Sequence, residues 1–335
     1  MKTKVVYVLS GSENGLLFEQ LYISVISLKY HTPSAWVSLV MDDKTNSLLS
    51  TLTKERISQY VNDTIIVPFN EDHTPMWKSR WMKTNLRNLV SGDFLFIDLD
   101  TAITNDISCI DEEKSSLAMV ADSHLPIGKH PFCSYIHDIC RSVDLEIDDN
   151  SFYFNSGVIY CKDEASNYVF FEKWHAYWQL YQEKGIAIDQ PSLAKTNNDL
   201  KGIVALSGEW NCQLRHGMEY FYDAKILHFL GEKQHCELGT KEYLQRVKKE
   251  GFSEYVMDRI KKPKRFLLSP AGLLCGDDLY FNYTDEYEQH KKHFFHPKAK
   301  KEQLIDSISA YKNETKGIKR LLLRLNFYIL RHLLC

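Results

Sequence analysis

Nowhere in this 335-residue chain do two cysteines stand as a Cys-x-x-Cys pair. Its eight cysteines (Cys109, Cys133, Cys140, Cys161, Cys212, Cys236, Cys275 and Cys335) are scattered, which excludes the dense disulfide framework of small secreted domains and reads as reduced cytosolic thiols. No stretch reaches the roughly 18 uninterrupted apolar residues of a membrane-spanning helix. The opening apolar run, Val5 to Leu9, passes into Ser10-Gly11-Ser12-Glu13 without the length or cleavage pattern of a signal peptide. A cytoplasmic protein is expected. Charge of one sign is missing too: a formal net charge of −3 provides no general basic field, so duplex nucleic acid is a poor partner. Repeats and low-complexity segments are absent as well. What is present is length enough for one large domain or two smaller ones, and an aromatic content of 13% that suits both a core and a surface for stacking sugars or bases.

The most informative stretch is Phe94-Leu95-Phe96-Ile97-Asp98-Leu99-Asp100. An apolar run reads as a buried strand, and alternation along it predicts that Asp98 and Asp100 share a face while Leu99 points into the core. Two carboxylates side by side at a strand end repel unless a cation or proton lies between them, and strand ends are where open α/β sheets bind ligands. The pair reads as a divalent metal site.

Around it, strands are expected at Val5 to Leu9, Trp36 to Met41, Ile65 to Val67, Leu117 to Val120, Gly157 to Cys161, Ile203 to Leu206 and Ile226 to Phe229. Helices are expected from Phe18 through Leu28, across Leu48 to Ile57, from Trp81 to Val90 and from Tyr168 to Tyr181. Strand alternating with helix predicts an α/β fold with a mixed, mainly parallel sheet flanked by helices. From about Gly251 the composition shifts toward lysine clusters (Lys261-Lys262-Pro263-Lys264-Arg265, Lys291-Lys292), so the chain divides into 1–250 and a basic helical region 251–335. Trp174 and Trp178, at helical spacing, read as core.

Five short motifs follow in order: Arg80-Trp81-Met82-Lys83, Asp98-Leu99-Asp100, Phe154-Asn155-Ser156-Gly157-Val158, Asp189-Gln190-Pro191-Ser192 and His228-Phe229-Leu230-Gly231. Over roughly residues 1–240 this set resembles the retaining nucleotide-sugar glycosyltransferases of family 8, the group containing glycogenin and bacterial lipopolysaccharide galactosyl- and glucosyltransferases. The resemblance implies a GT-A-like, Rossmann-type domain that transfers a hexose from a UDP-sugar to a hydroxyl of a glycan or glycolipid, in surface polysaccharide or lipopolysaccharide synthesis.

Residue by residue, it implies that Asp98, Asp100 and His228 ligate Mn²⁺ (or Mg²⁺), a set of hard oxygens and one imidazole that suits such ions. Arg80 is implied beside the diphosphate and donor sugar, and a guanidinium offers bidentate donors there. Asn155, in an Asn-Ser-Gly turn, and the Asp189-Gln190 pair are implied on the donor sugar, with Gln190 facing the anomeric carbon. Gln190 is neutral and a poor nucleophile, so same-face substitution through an oxocarbenium-like ion pair is expected. Gly231 and Lys233 match the family's diphosphate-binding run, with Lys233 one position early. For the nucleoside, Ser12, Glu13 and Asn14 compete. Asp122 and His124 are candidates for sugar contact.

The tail from Lys316 to Cys335 sets Ile318, Leu321, Leu322, Leu325, Tyr328, Ile329 and Leu333 at helical spacing, with Arg320, Arg324 and Arg331 on another face. Such a helix either docks on the domain or lies on an anionic membrane surface, making the protein peripheral to the inner face of the membrane. Two rival functions stand beside the transferase. A haloacid-dehalogenase phosphatase also uses Asp-x-Asp-x-Thr after a buried strand, although here Thr101 comes one place early. A sugar-nucleotide-binding protein without turnover is the other.

Overall fold

The computed structural model describes residues 1–12, 16–71, 73–213, 216–230 and 254–263. Gly231, Lys233, Glu13, Asn14, the tail 316–335 and most of the region 251–335 lie outside them. The order is β1 (Lys4–Leu9), α1 (Leu16–His31), β2 (Val37–Asp42), α2 (Asp43–Leu48), α3 (Thr51–Ser58), β3 (Asp63–Val67), α4 (Pro75–Thr84), α5 (Leu86–Leu89), β4 (Phe94–Ile97), β5 (Thr101–Ile103), β6 (Leu117–Pro126), α6 (Cys133–Arg141), β7 (Phe152–Cys161), α7 (Ala165–Glu183), α8 (Gln190–Leu200), β8 (Val204–Ala205), β9 (Cys212–Gln213), β10 (Ile226–His228) and α9 (Glu254–Lys261).

Seven strands form one sheet in the order β3-β2-β1-β4-β7-β6-β8, in which β7 alone runs against its neighbours. The expected α/β class and mainly parallel sheet are therefore present. Continuous apolar runs make the central strands because helices cover both faces. Val5, Tyr7 and Leu9 of β1 pack with Phe18, Leu21 and Val25 of α1. Val6 and Val8 turn to the opposite side, against Met82, Leu86, Phe171 and Trp174 of α4, α5 and α7. Trp174 and Trp178 are fully buried, as expected of core residues. At the edge, β3 alternates between half-buried and exposed positions from Asp63 to Ile66 and ends on the buried Val67.

Several boundaries differ from the sequence expectation. The run across Leu48 to Ile57 is two helices, because Ser50 caps a new one by accepting from Thr53 N–H. Trp81 to Val90 is likewise divided, with Asn85 at φ −104° and ψ 7° between α4 and α5. The strand at Phe94 stops at Ile97, so Asp98 and Asp100 do not alternate along it: they lie on the link to β5, which joins a second, three-stranded sheet, β5-β10-β9. Asn155-Ser156-Gly157 is no turn but the buried middle of β7, where the β6–β7 register slips between Met119 and Val120. Such irregularities re-aim side chains.

The sheet order reverses between β1 and β4, since the chain leaves β1 toward β2 and β3 and returns through α4 and α5 to β4. Ligand crevices form at such a switch point, outside the carboxyl ends of the strands. Ser10 to Ser12 and Asp98 follow strand ends on that edge, and Asp42 is itself the last residue of β2.

Candidate active site

The link after β4 is anchored from below. Thr101 Oγ1 donates to the Asp98 carbonyl at 2.9 Å and bonds Ser24 Oγ at 2.7 Å, and Ser24 in turn meets the buried Tyr7 hydroxyl at 2.9 Å. From the sides, Asp98 N–H donates to Gly157 O at 2.7 Å, and Phe229 N–H to Asp100 O at 3.0 Å. A backbone held at these points brings both carboxylates to His228, the last residue of β10. Ligand atoms of Asp98, Asp100 and His228 lie within 4.8 Å of one another, so the three side chains implied as metal ligands converge.

A chain of side-chain bonds orients the imidazole. Gly157 N–H donates to Asn155 Oδ1 at 2.9 Å, which fixes that amide and leaves its Nδ2 to donate to Asp122 Oδ1 at 2.9 Å. Asn155 Oδ1 also accepts from Asn211 Nδ2 at 3.0 Å, so Asn211 Oδ1 is the atom that meets His228 Nδ1 at 2.8 Å. His228 Nδ1 therefore carries a proton. Its Nε2 then faces Asp100 Oδ1 at 3.3 Å, an approach that needs a cation or a second proton between the two. Burial pushes the His228 imidazole down in pKa, but Asp100 and Asp98 outweigh it and the net direction is up.

Helix α4 supplies the positive side. Its residues Arg80 and Lys83, three apart, share a face. Arg80 Nε pairs with Asp189 Oδ1 at 3.2 Å, while Lys83, nearly inaccessible, pairs with Asp98 at 3.2 Å and Asp189 at 3.7 Å. Asp189 also accepts from Ser156 Oγ at 2.7 Å. Burial would raise its carboxyl, yet Lys83, Arg80 and Ser156 overcome that and hold it at about 2. Asp98, Asp100 and Asp189 thus face Arg80, Lys83 and His228. Next to Asp189, Gln190 opens α8 with its Nε2 donating to Phe154 O at 3.4 Å.

Asp122 lies where β6 leaves its pairing with β7. Burial raises its carboxyl, but His130 Nε2, at 3.3 Å, and Asn155 reverse the direction. His124, two residues on, takes φ +57° and turns away to accept from Gln213 N–H at 3.2 Å. Burial takes its pKa down to about 4, so it stays neutral.

Beside this cluster opens a cavity of about 400 Å³ lined by Ser10, Gly11, Ser12, Asp42, Lys44, Thr45, Leu48, His73, Thr74, Pro75 and Lys78. Asp42, buried at the end of β2, caps α2 through Thr45 N–H at 3.1 Å and pairs with Lys78 at 3.2 Å. Of the three nucleoside candidates, Ser12 lines this cavity.

Arg80, Asp98, Asp100, Asp122, Asn155, Asp189, Gln190 and His228 are thus all on one edge of the sheet. Lys83 and Ser156 stand inside the sequence motifs with no role assigned to them, and Lys78 and Asn211 stand outside them. Lys83 had a signal, its i+3 spacing from Arg80 ahead of a carboxylate strand. Asn211 had none, since nothing in the sequence near it points to His228.

No family model and no curated protein matches this sequence. Among solved structures, the galactosyltransferase LgtC, determined with donor and acceptor sugar analogues, is similar at a TM-score of 0.51 and 12% identity, over 75% of this chain and 98% of its own. The WbbM bifunctional glycosyltransferase is similar at 0.49 and 13% identity, over 78% of this chain, which spans about half (51%) of WbbM. GlyE of Streptococcus pneumoniae TIGR4 is similar at 0.48 and 16% identity, over 79% of this chain and 64% of its own. The likeness to LgtC shows that the chain has the GT-A glycosyltransferase fold.

Proposed function

We propose that this chain is a metal-dependent, retaining glycosyltransferase that moves a hexose from a UDP-sugar to a hydroxyl of a glycan or glycolipid, in the assembly of a surface polysaccharide or lipopolysaccharide. The observation that carries this reading is the meeting of Asp98, Asp100 and His228 with Arg80, Lys83, Asp189 and Gln190 on the ligand-binding edge of a GT-A sheet. The neighbouring cavity, about 400 Å³ and lined mostly by residues with polar side chains, is of a size for a nucleoside.

Asp98, Asp100 and His228 Nε2 would hold Mn²⁺ or Mg²⁺, and the donor set fits: hard oxygens, one imidazole, and a ring whose far nitrogen is already committed to Asn211. A divalent ion there offsets the charge that grows on a departing diphosphate. Arg80, half-exposed, extends the same field toward phosphate or sugar oxygens. Lys83 pairs with Asp98 and helps hold Asp189 ionised without reaching solvent. Asp189 fixes Arg80 and the start of α8, and so sets where Gln190 stands. A neutral amide there is a weak nucleophile, which favours an oxocarbenium-like ion pair over a glycosyl-enzyme.

A phosphatase reading loses ground on Thr101. Its hydroxyl is buried and spent on Asp98 O and Ser24, so it is not offered to a phosphate. The test is donor hydrolysis across a panel of UDP-sugars, with Mn²⁺ and then with EDTA. Asp100→Asn should lower turnover on the order of 100-fold or more with the fold intact. Turnover indifferent to EDTA, or near normal in Asp100→Asn, would overturn the proposal.

A further inference from the structure

Away from the Asp98 cluster, a second group of metal-ligating side chains converges. Cys133 and His137 stand one turn apart on α6, and Asp149 reaches them from the turn that precedes β7. One ligand atom from each lies within 4.8 Å of the other two, and His137 Nε2 meets Asp149 Oδ1 at 2.8 Å. We propose that Cys133, His137 and Asp149 form a second metal site, for a zinc-like divalent ion, that clamps α6 to the turn preceding β7.

The spacing i, i+4 puts the thiol and imidazole on one helix face, the arrangement by which a helix presents two ligands to one ion. Thiolate sulfur, imidazole nitrogen and carboxylate oxygen form the set a borderline-soft ion takes, with three protein ligands and an open fourth position. The Asp98 cluster has no sulfur, so the two sites would sort different ions. Tetrahedral ligands of zinc lie about 3.3–3.8 Å apart, given bond lengths of about 2.0–2.3 Å. Reaching that spacing opens the His137–Asp149 pair from its 2.8 Å hydrogen bond by about 0.5 Å or more, a small movement for an exposed carboxylate facing a half-buried imidazole.

The backbone beneath is already fixed. Gly128 N–H donates to Asp149 O at 2.8 Å, and a Cβ on residue 128 would come within 2.8 Å of Asp149 Cβ, so a glycine lets the turn close in. Ser151 N–H bonds Asp148 O at 2.9 Å, and Cys133 N–H bonds His130 O at 3.0 Å. That last bond links the site to function. His130 holds Asp122, which in turn holds Asn155, so an ion on α6 would stiffen the segment behind the candidate sugar contacts. The inference itself stands apart from the transferase reading.

Cobalt(II) is the probe. The full chain, reduced and stripped of metal, is titrated with Co²⁺ and the thiolate-to-metal charge-transfer band is followed in the near ultraviolet. One equivalent should develop the band, and Zn²⁺ should displace it. The band should persist in Asp98→Asn/Asp100→Asn and vanish in Cys133→Ser. In His137→Gln and Asp149→Asn, affinity should fall by at least the roughly 10- to 100-fold that disturbing a ligand's support costs. Zn²⁺ should also raise the melting temperature of the wild type and leave that of Cys133→Ser unchanged. No band in the wild type, or a band that survives Cys133→Ser, would overturn the proposal.

Discussion

Gly157 is the residue on which the geometry of the site turns. A Cβ there would lie 2.3 Å from His228 Cε1, 2.8 Å from Nδ1 and 2.9 Å from Asn155 Oδ1, distances that real Cβ atoms do not keep. The glycine is required by this close approach, since its φ is not in the left-handed region. Gly157→Ala therefore displaces the imidazole and breaks the Asn155–Asn211–His228 chain. Overpacking of this kind costs about 1–3 kcal/mol, so the variant should still fold, with a lower urea midpoint. On the proposed function it should lose the Mn²⁺-dependent part of its turnover. A Mn²⁺ titration that matches the wild type would show that His228 is not aimed by its neighbours. The sequence marked Asn155, Ser156 and Gly157 as a motif but not as a strand, because Asn, Ser and Gly are the residues turns use. What makes them a strand is tertiary: β4 pairs along Ile97 and Val158, and the β6 register slips to let three residues pass.

Among the elements, α4 binds the halves of the crevice together, through Lys78 to Asp42 at the end of β2 and through Arg80 and Lys83 to Asp98 and Asp189. Its start depends on Thr74, whose hydroxyl accepts from Trp77 N–H at 3.2 Å ahead of Pro75 at the first helical position. Thr74→Ala should destabilise the protein by about 1 kcal/mol, and Thr74→Ser should restore most of it. Equal urea midpoints for all three proteins would show that the cap does not matter. The main sheet was legible because β1, β2 and β4 are buried on both faces and so read as apolar runs closed by polar residues. Those closing residues, Ser10, Asp42 and Asp98, then fell on the ligand edge without further assumption. The small sheet was less legible. Strands of two or three residues such as β5 and β9 show no period, and they form because β10 lies between them. The same long-range pairing places Asn211 beside His228, which local pattern does not foresee.

At the scale of the whole molecule, acid reaches the packing through two neutral histidines. His175 of α7 sits against the α4–α5 junction, bonded to Thr84 Oγ1 at 2.7 Å and Asn85 Nδ2 at 2.8 Å, and burial takes its pKa down to about 4. His124 lies at about 4 for the same first reason, burial. Both bind a proton less readily folded than unfolded, where a histidine titrates near 6.5. Their contribution is complete above the unfolded value and is lost as pH falls from about 6.5 toward 4. His228 has the opposite sign: its pKa is raised, so what it contributes is present below the unfolded value and fades as pH climbs through the folded one. Asp189 acts lower still, losing its contribution as pH drops from the ordinary carboxylate range through about 2. Between pH 6.5 and 4 the two buried histidines therefore set the trend among these groups. Each is bounded by about 1.4 kcal/mol per pH unit, the free energy of one proton. Urea unfolding at pH 7, 6 and 5 should give falling stability, and His175→Gln, which cannot titrate, should flatten the slope relative to the wild type. An identical slope in the variant would mean that protonating His175 does not strain the contact of α7 with the helices that carry Arg80 and Lys83.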